Sequence, residues 1–153
     1  MGILQNVFDR FSQTVKAYIG DDALMQAAVS AASNVIVADG EVASEEFETA
    51  LLCMRANPIL EKGYDTLMLE QELYEGIARA RTRAERVKNL RRVAAIAGRS
   101  EEQRQNVFLI AADVADHEGI SEIEGKALAE IATALSVDKT ALLETAPVLP
   151  LAS

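Results

Sequence analysis

Apolar positions recur every three to four residues along nearly the whole chain, and no run alternates apolar and polar residues as a half-buried strand would. Residues 3–18 place Ile3, Leu4, Val7, Phe8, Phe11, Val15 and Tyr18 on one stripe with Asp9, Arg10 and Lys16 opposite. That pattern predicts an amphipathic N-terminal helix, suited to packing on its own domain, on a partner or on a membrane surface. A second helix is expected after Asp21-Asp22, whose acids favour a helix N-terminus, and should end at Asp39-Gly40, where Gly suits a left-handed C-terminal position. The third starts near Ser44, turns Phe47, Leu51, Cys53 and Met54 inward, and stops at Asn57-Pro58.

After a connector over residues 59–64, Asp65 is placed to cap a fourth helix to about Ala80, with Leu69, Leu73, Tyr74 and Ile77 inward. A fifth, about 83–98, has Val87, Leu90, Ala94 and Ala97 at core spacing and ends at Gly98. Ser100-Glu101-Glu102-Gln103 is a capping-box pattern opening a sixth helix, with Val107, Phe108, Ala111, Val114 and Ala115 apolar. A seventh follows Ser121 and buries Ile123, Ala127, Leu128, Ile131 and Leu135, and Asp138 caps a short eighth through Leu143. The expectation is an all-α protein, a compact bundle of about seven to eight helices.

A chain of 153 residues is long enough to bury a core as one domain. The expected domain covers residues 1–143, with 144–153 as an extended tail. Half the residues are apolar and only 5% aromatic, with no Trp and three Pro, which fits a helical protein.

Within the helices lies a pseudo-repeat. Helix two, its loop and helix three echo helix six, its loop and helix seven, and the halves superpose on Val42 and Ile120, each four residues before Glu46 and Glu124. These are two pseudo-symmetric helix-loop-helix hairpins. Residues 37–48 and 113–124 hold five acids each, which makes the two loops the candidate site. The residues singled out are Asp39 and Glu46 in the first copy and Asp116 and Glu124 in the second.

Two explanations compete for these acids. Gly40 suits a helix C-terminus, Ser44 an N-cap, and Ser121-Glu122-Ile123-Glu124 is itself a capping box, so Glu124 has a role in the backbone alone. Capping, however, requires neither an Asp near the Gly in both loops nor Glu41, Asp113 and Glu118. Carboxylates gathered within ~4–6 Å either raise one another's pKa or take up a cation. An all-oxygen set selects a hard ion, Ca²⁺, Mg²⁺ or Mn²⁺. His117, the only histidine, either biases a site in the second loop toward a transition metal or is simply solvated there. An EF-hand is disfavoured, because its earlier ligand positions fall on Val35 and Val37 and Glu118 stands where its Gly belongs in the second loop.

A net charge of −9 argues against non-specific nucleic-acid binding. One region departs from it: seven of fifteen Lys and Arg lie between Arg79 and Arg92, with Glu85 the only acid among them. This is either a solvated face or a docking patch for an acidic partner or anionic headgroups. Cys53, the single cysteine, indicates a reducing intracellular setting and reads as a small buried residue. The longest uncharged run, 23–38, is too short for a membrane span and contains Gln26, Ser30, Ser33 and Asn34. The N-terminus lacks the basic residues of a signal peptide and has Asn6 where a myristoylation motif has Ser or Thr. No Glu-x-x-His pair, Gly-rich phosphate loop or evident base for Cys53 is present, so no enzymatic activity is expected.

Ala38-Asp39-Gly40-Glu41-Val42 followed by Glu46, then Val114-Ala115-Asp116 with Gly119-Ile120 and Glu124, resembles the tellurite-resistance TerB proteins and their TerB-like relatives. The separation of the motifs, the N-terminal stripe and the segment Ile131 to Asp138 extend the resemblance over about residues 1–143. It implies an all-helical cytoplasmic domain with a pseudo-two-fold pair of metal-binding motifs, in which Asp39, Glu46, Asp116 and Glu124 are the matched positions. It also implies association with other tellurite-resistance proteins at the inner face of the bacterial membrane, in stress, phage or colicin tolerance. The second loop departs from the family pattern, because His117-Glu118 separates Asp116 from Gly119.

Overall fold

The uncharged run near the N-terminus becomes the centre of the bundle because it has no polar face to present to water. Helix α1, Asp22–Val37, buries thirteen of its sixteen residues, and small side chains such as Ala27, Ala28, Ala31 and Ala32 let neighbouring helices approach it closely. A computed structural model describes residues 21–38, 40, 42–116 and 119–145 of the protein. The expected helix over 3–18 and most of the tail lie outside these residues. After α1 come α2 (Ser44–Ala56), α3 (Pro58–Gly63), α4 (Thr66–Arg79), α5 (Arg83–Ala94), α6 (Glu101–Ala115), α7 (Glu122–Leu135) and α8 (Lys139–Thr145). The protein is all-α, and no strand occurs among the described residues.

Helices α4, α5 and α6 pack around α1, and α2 and α7 also touch it. The hairpins α1–α2 and α6–α7 meet through α1 on α6, with α2 against α6 and α7 against α1. This exchange of contacts is what a pseudo-two-fold relation between the hairpins requires. Phe108, Leu128, Ile131 and Leu135 come from the second hairpin and Leu24, Met25, Ile36 and Met54 from the first, all sealed from solvent in one core.

Side-chain caps punctuate the helices where short polar residues precede them. Asp21, Asp65, Thr82, Ser100 and Ser121 each accept a backbone N–H from the first turn of α1, α4, α5, α6 and α7. Asp138 does the same for α8, which runs to Thr145 rather than Leu143. The connector at 59–64 is largely helical: Asn57 accepts from Ile59 and Leu60 N–H, and Pro58 occupies the first turn of α3. The pair read as a stop for α2 is therefore also a start, since Pro lacks only an N–H that a first turn leaves unpaired anyway.

Inward assignments on three helices are corrected. On α5 the buried positions are Asn89 and Val93, with Ile96 in the turn beyond, whereas Val87 is 48% exposed and Ala94 is exposed. Asn89 wins the inward place because its amide is fully used. It donates to Asn34 Oδ1 at 3.0 Å and the Gly76 carbonyl at 3.4 Å, and accepts from Arg79 Nε at 3.2 Å and Arg92 Nη1 at 3.4 Å. Helix α5 also ends at Ala94 instead of Gly98, passing into turns. On α7, Ile123 is 54% exposed, at the open end of the helix. Tyr74 on α4 is 58% exposed and stacks on Phe47 of α2, with centroids 4.6 Å apart and planes tilted by 32°.

Candidate functional site: the paired acidic loops

Two contacts between α2 and α6 set the position of the loops. The Cys53 thiol lies 3.8 Å from Asp113 Oδ2, and Asn57 Nδ2 donates to Asn106 Oδ1 at 2.7 Å. Moving towards the C-terminus of α2 thus moves towards the N-terminus of α6, so these helices are antiparallel. The N-terminus of α2 and the C-terminus of α6 consequently lie at the same end of the bundle, and the loops 38–43 and 116–121 with them. At ~1.5 Å per residue, Glu46 stands about 10 Å beyond the Cys53 level and Asp116 about 4–5 Å beyond the Asp113 level.

The two loops start alike. At the end of α1, Ala38 N–H bonds to the Val35 carbonyl at 3.1 Å and Gly40 N–H to that of Val37 at 2.9 Å. Gly40 has φ +84° and Gly119 φ +88°. Both are in the left-handed region that favours glycine, so each loop reverses through its Gly. At the end of α6, Asp116 is the C-cap, its N–H reaching the carbonyls of Ala112 and Asp113 at 3.0 and 3.3 Å.

They finish differently. Ser44 is the first residue of α2, and the capping position belongs to Ala43, which has no side-chain acceptor to offer. Glu46 lies in that first turn, 8% exposed. Before α7, by contrast, Ser121 Oγ accepts Glu124 N–H at 3.2 Å and Glu124 Oε1 accepts Ser121 N–H at 3.1 Å, a complete capping box. Glu124, 7% exposed, thus has one oxygen committed to the backbone.

Of the four residues singled out, Asp39 lies outside the described residues, as do Glu41, His117 and Glu118. Glu46, Asp116 and Glu124 are placed at the loop-bearing end, in a first turn, a C-cap and a capping box. Among the described residues, no three of His, Cys, Asp and Glu come together in a group able to hold a metal ion.

Asp113 carries an electrostatic signal the spacing did not rank. Its carboxyl is pushed above the usual range by burial and by the charge of Asp116, while the thiol hydrogen bond pulls it back. Cys53 is raised to about 11, first by burial and then by the charge and hydrogen bond of Asp113. Cys53 is therefore a protonated thiol, half-buried at the α2–α6 seam and donating to a carboxylate, where a plain apolar residue was expected. In the sequence this acid stood out only as one that capping does not require, three residues before Asp116 and one turn away on the same helix face. Nothing pointed to Cys53, sixty residues distant.

The basic run is also divided by the fold. Arg79 ends α4 with its side chain half-buried against Asn89, its pKa lowered by burial and by the nearby Arg92. Arg83, Lys88 and Arg91 are exposed on α5.

The fold and loops define an all-helical bundle with two acidic helix-loop-helix hairpins opening at one end. The chain has no match among protein-family models, curated proteins or solved structures. No described helix is long and apolar enough to cross a membrane.

Proposed function

We propose that the chain is a TerB-like, non-enzymatic module whose paired acidic loops bind or sense a divalent metal ion, Ca²⁺, Mg²⁺ or Mn²⁺. It acts through protein partners in tellurite or general stress resistance, in the cytoplasm or peripherally at the inner membrane. The observation that supports this most is the antiparallel pairing of α2 and α6, which carries both loops to one end of the bundle. Asp39, Glu46 and Asp116 would hold the ion, with the second oxygen of Glu124. When bound, the ion would neutralise carboxylates that otherwise repel one another, as Asp116 already does Asp113. Side chains freed from repulsion would then hold the loops in one arrangement, and a partner would read that surface.

The test follows thermal stability while each of Ca²⁺, Mg²⁺, Mn²⁺ and Zn²⁺ is titrated, because an ion that binds the folded state raises the midpoint. The midpoint should rise for a hard cation, and Asp39→Asn or Glu46→Gln should abolish the rise. No shift at millimolar ion, or an unchanged response in both variants, rejects the reading.

A second reading, a helical adaptor without a metal site, is favoured by the commitment of Glu124 to its capping box and by the apolar residues exposed on α5. Charge reversal at Arg83, Arg86 and Arg91 separates the two: an adaptor loses its partner, whereas a metal module keeps its ion response.

A further inference from the structure

On α5, the exposed Val87 and the partly buried Leu90, which packs against the edge of the core, line a groove. Between α5 and α7 run two adjoining cavities, of about 420 and 530 Å³, which share Val87, Leu90 and Glu130. At the loop-bearing end Arg83, Arg86 and Val87 face Ile123, Lys126 and Ala127. At the other end Arg91 and Ala94 face Thr133 and Ala134. The helices are therefore parallel, and the groove follows them for roughly 18 Å, about three helical turns. Along its rims Arg83, Arg86, Arg91 and Lys126 stand against a single carboxylate, Glu130, in a chain of net charge −9. Two cation–carboxylate contacts lie nearby, Lys88 to Glu85 at 3.0 Å on α5 and Lys126 to Glu122 at 4.0 Å on α7; each joins exposed side chains on one helix and is weakly held.

We propose that this groove is the docking surface for an amphipathic helix of another protein, with acidic residues flanking its apolar face. Both walls are helices whose backbone groups are paired internally, so an extended peptide would find no strand edge to bond; an occupant that satisfies its own backbone is a helix. Alanines at positions 94, 127 and 134 leave room for its side chains between Val87, Leu90 and Ile123. Arg83, Arg86 and Arg91 are spread along the α5 wall over about 12 Å with Lys126 on the α7 wall, matching acids that flank the apolar face of a partner helix rather than a plane of headgroups. The remainder of the protein repels acidic chains, so the same field that weakens contact elsewhere directs an acidic partner here.

Fluorescence anisotropy tests this with the full chain and a labelled 18-residue helical peptide of Leu, Ala and Glu, alongside the peptide with Lys in place of Glu. Buffers contain EDTA, which makes the outcome independent of any metal site. The Glu peptide should bind and the Lys peptide should not. Val87→Asp, and Arg83→Glu with Arg91→Glu, should each weaken binding at least tenfold, while Leu67→Asp on α4 should leave it unchanged. Amide shifts on peptide addition should centre on Val87, Leu90 and Ala127. Equal binding of both peptides, or shifts centred elsewhere, overturns the proposal. Binding to phosphatidylglycerol vesicles but not to the Glu peptide, lost on Arg83→Glu with Arg91→Glu, overturns it in favour of a membrane. A dimer dissociated by Val87→Asp assigns the groove to a second copy, and a tenfold gain in peptide affinity on Phe8→Asp assigns it to the chain's own N-terminal stripe; either result overturns it.

Discussion

Cys53 and Asp113 face each other across the α2–α6 seam, the thiol donating to the carboxylate at 3.8 Å. With its pKa pushed up to about 11, Cys53 should be slow to react although it is only half-buried. At pH 8 its thiolate fraction is on the order of 100-fold below that of an unperturbed thiol, so alkylation by iodoacetamide should run at least tenfold slower than for a free cysteine. Asp113→Asn removes a charge that opposes ionisation and should speed alkylation several-fold, leaving the effect of burial in place. A rate equal to free cysteine in the parent protein contradicts the assignment.

Asp21 joins the start of α1 to the turn after α5. It caps Leu24 N–H at 3.1 Å and accepts Arg99 Nη1 and Nη2 at 2.6 and 3.0 Å. The Arg99 hydrogen bonds hold its carboxyl below the usual range, helped by Leu24 N–H and the Arg99 charge and opposed by burial. A depressed acid stabilises the fold above its unfolded pKa of ~3.9, and the contribution is lost as pH falls through the folded value. Asp21→Ala should cost about 1–2 kcal/mol at pH 7, seen as a lower urea midpoint. As pH falls below the unfolded value and on through the lowered folded one, the gap between parent and variant should narrow.

Gly76 and Gly98 should respond oppositely to alanine. A Cβ on Gly76 would overlap the Ser33 hydroxyl and approach Val29 Cγ1 to 2.8 Å, whereas one on Gly98 meets nothing within 4 Å. Gly76→Ala should lower stability by about 1–3 kcal/mol despite the better helix propensity of Ala. Adding Ser33→Ala should recover part of the loss, leaving the Val29 overlap. Gly98→Ala should be neutral or slightly stabilising, and thermal melts of the four proteins decide the matter.

Ser121 and Glu124 separate capping from ion binding. Ser121→Ala removes half of the capping box and should cost about 1 kcal/mol while leaving any cation response intact. Glu124→Gln keeps an oxygen able to accept Ser121 N–H, so stability should change little, yet it removes a charge an ion would need. A cation-dependent midpoint that survives Glu124→Gln excludes Glu124 as a ligand.

The elements that periodicity disclosed were those in which apolar residues face inward. Helices α1, α6 and α7 were legible for that reason, as were the caps at Asp21, Asp65, Ser100 and Ser121. Helix α5 was legible at its start but neither at its end nor in its orientation. Its buried face is held by Asn89, whose amide satisfies groups on α1 and α4, and a hydrophobicity pattern has no means of finding an inward asparagine. Helix α3, six residues long, falls below the length at which a 3.6-residue period is visible. At the candidate site, the capping box of Glu124 could be read from Ser121-Glu122-Ile123-Glu124. The location of both loops at one end could not, because it follows from Cys53–Asp113 and Asn57–Asn106, contacts between residues sixty and forty-nine positions apart.

Helix α1 is enclosed by partners from both halves of the chain, with thirteen residues withdrawn from water. Neither hairpin of the pseudo-repeat can then bury its apolar surface alone: α1 without α6 exposes a helix of alanine, valine and serine that has little intrinsic solubility, and α6 without α1 loses its broadest contact. The halves look alike, but they are one cooperative folding unit. Chains cut in the loop 116–121 should regain native structure only when both pieces are present together, and denaturation of the intact protein should proceed in a single transition.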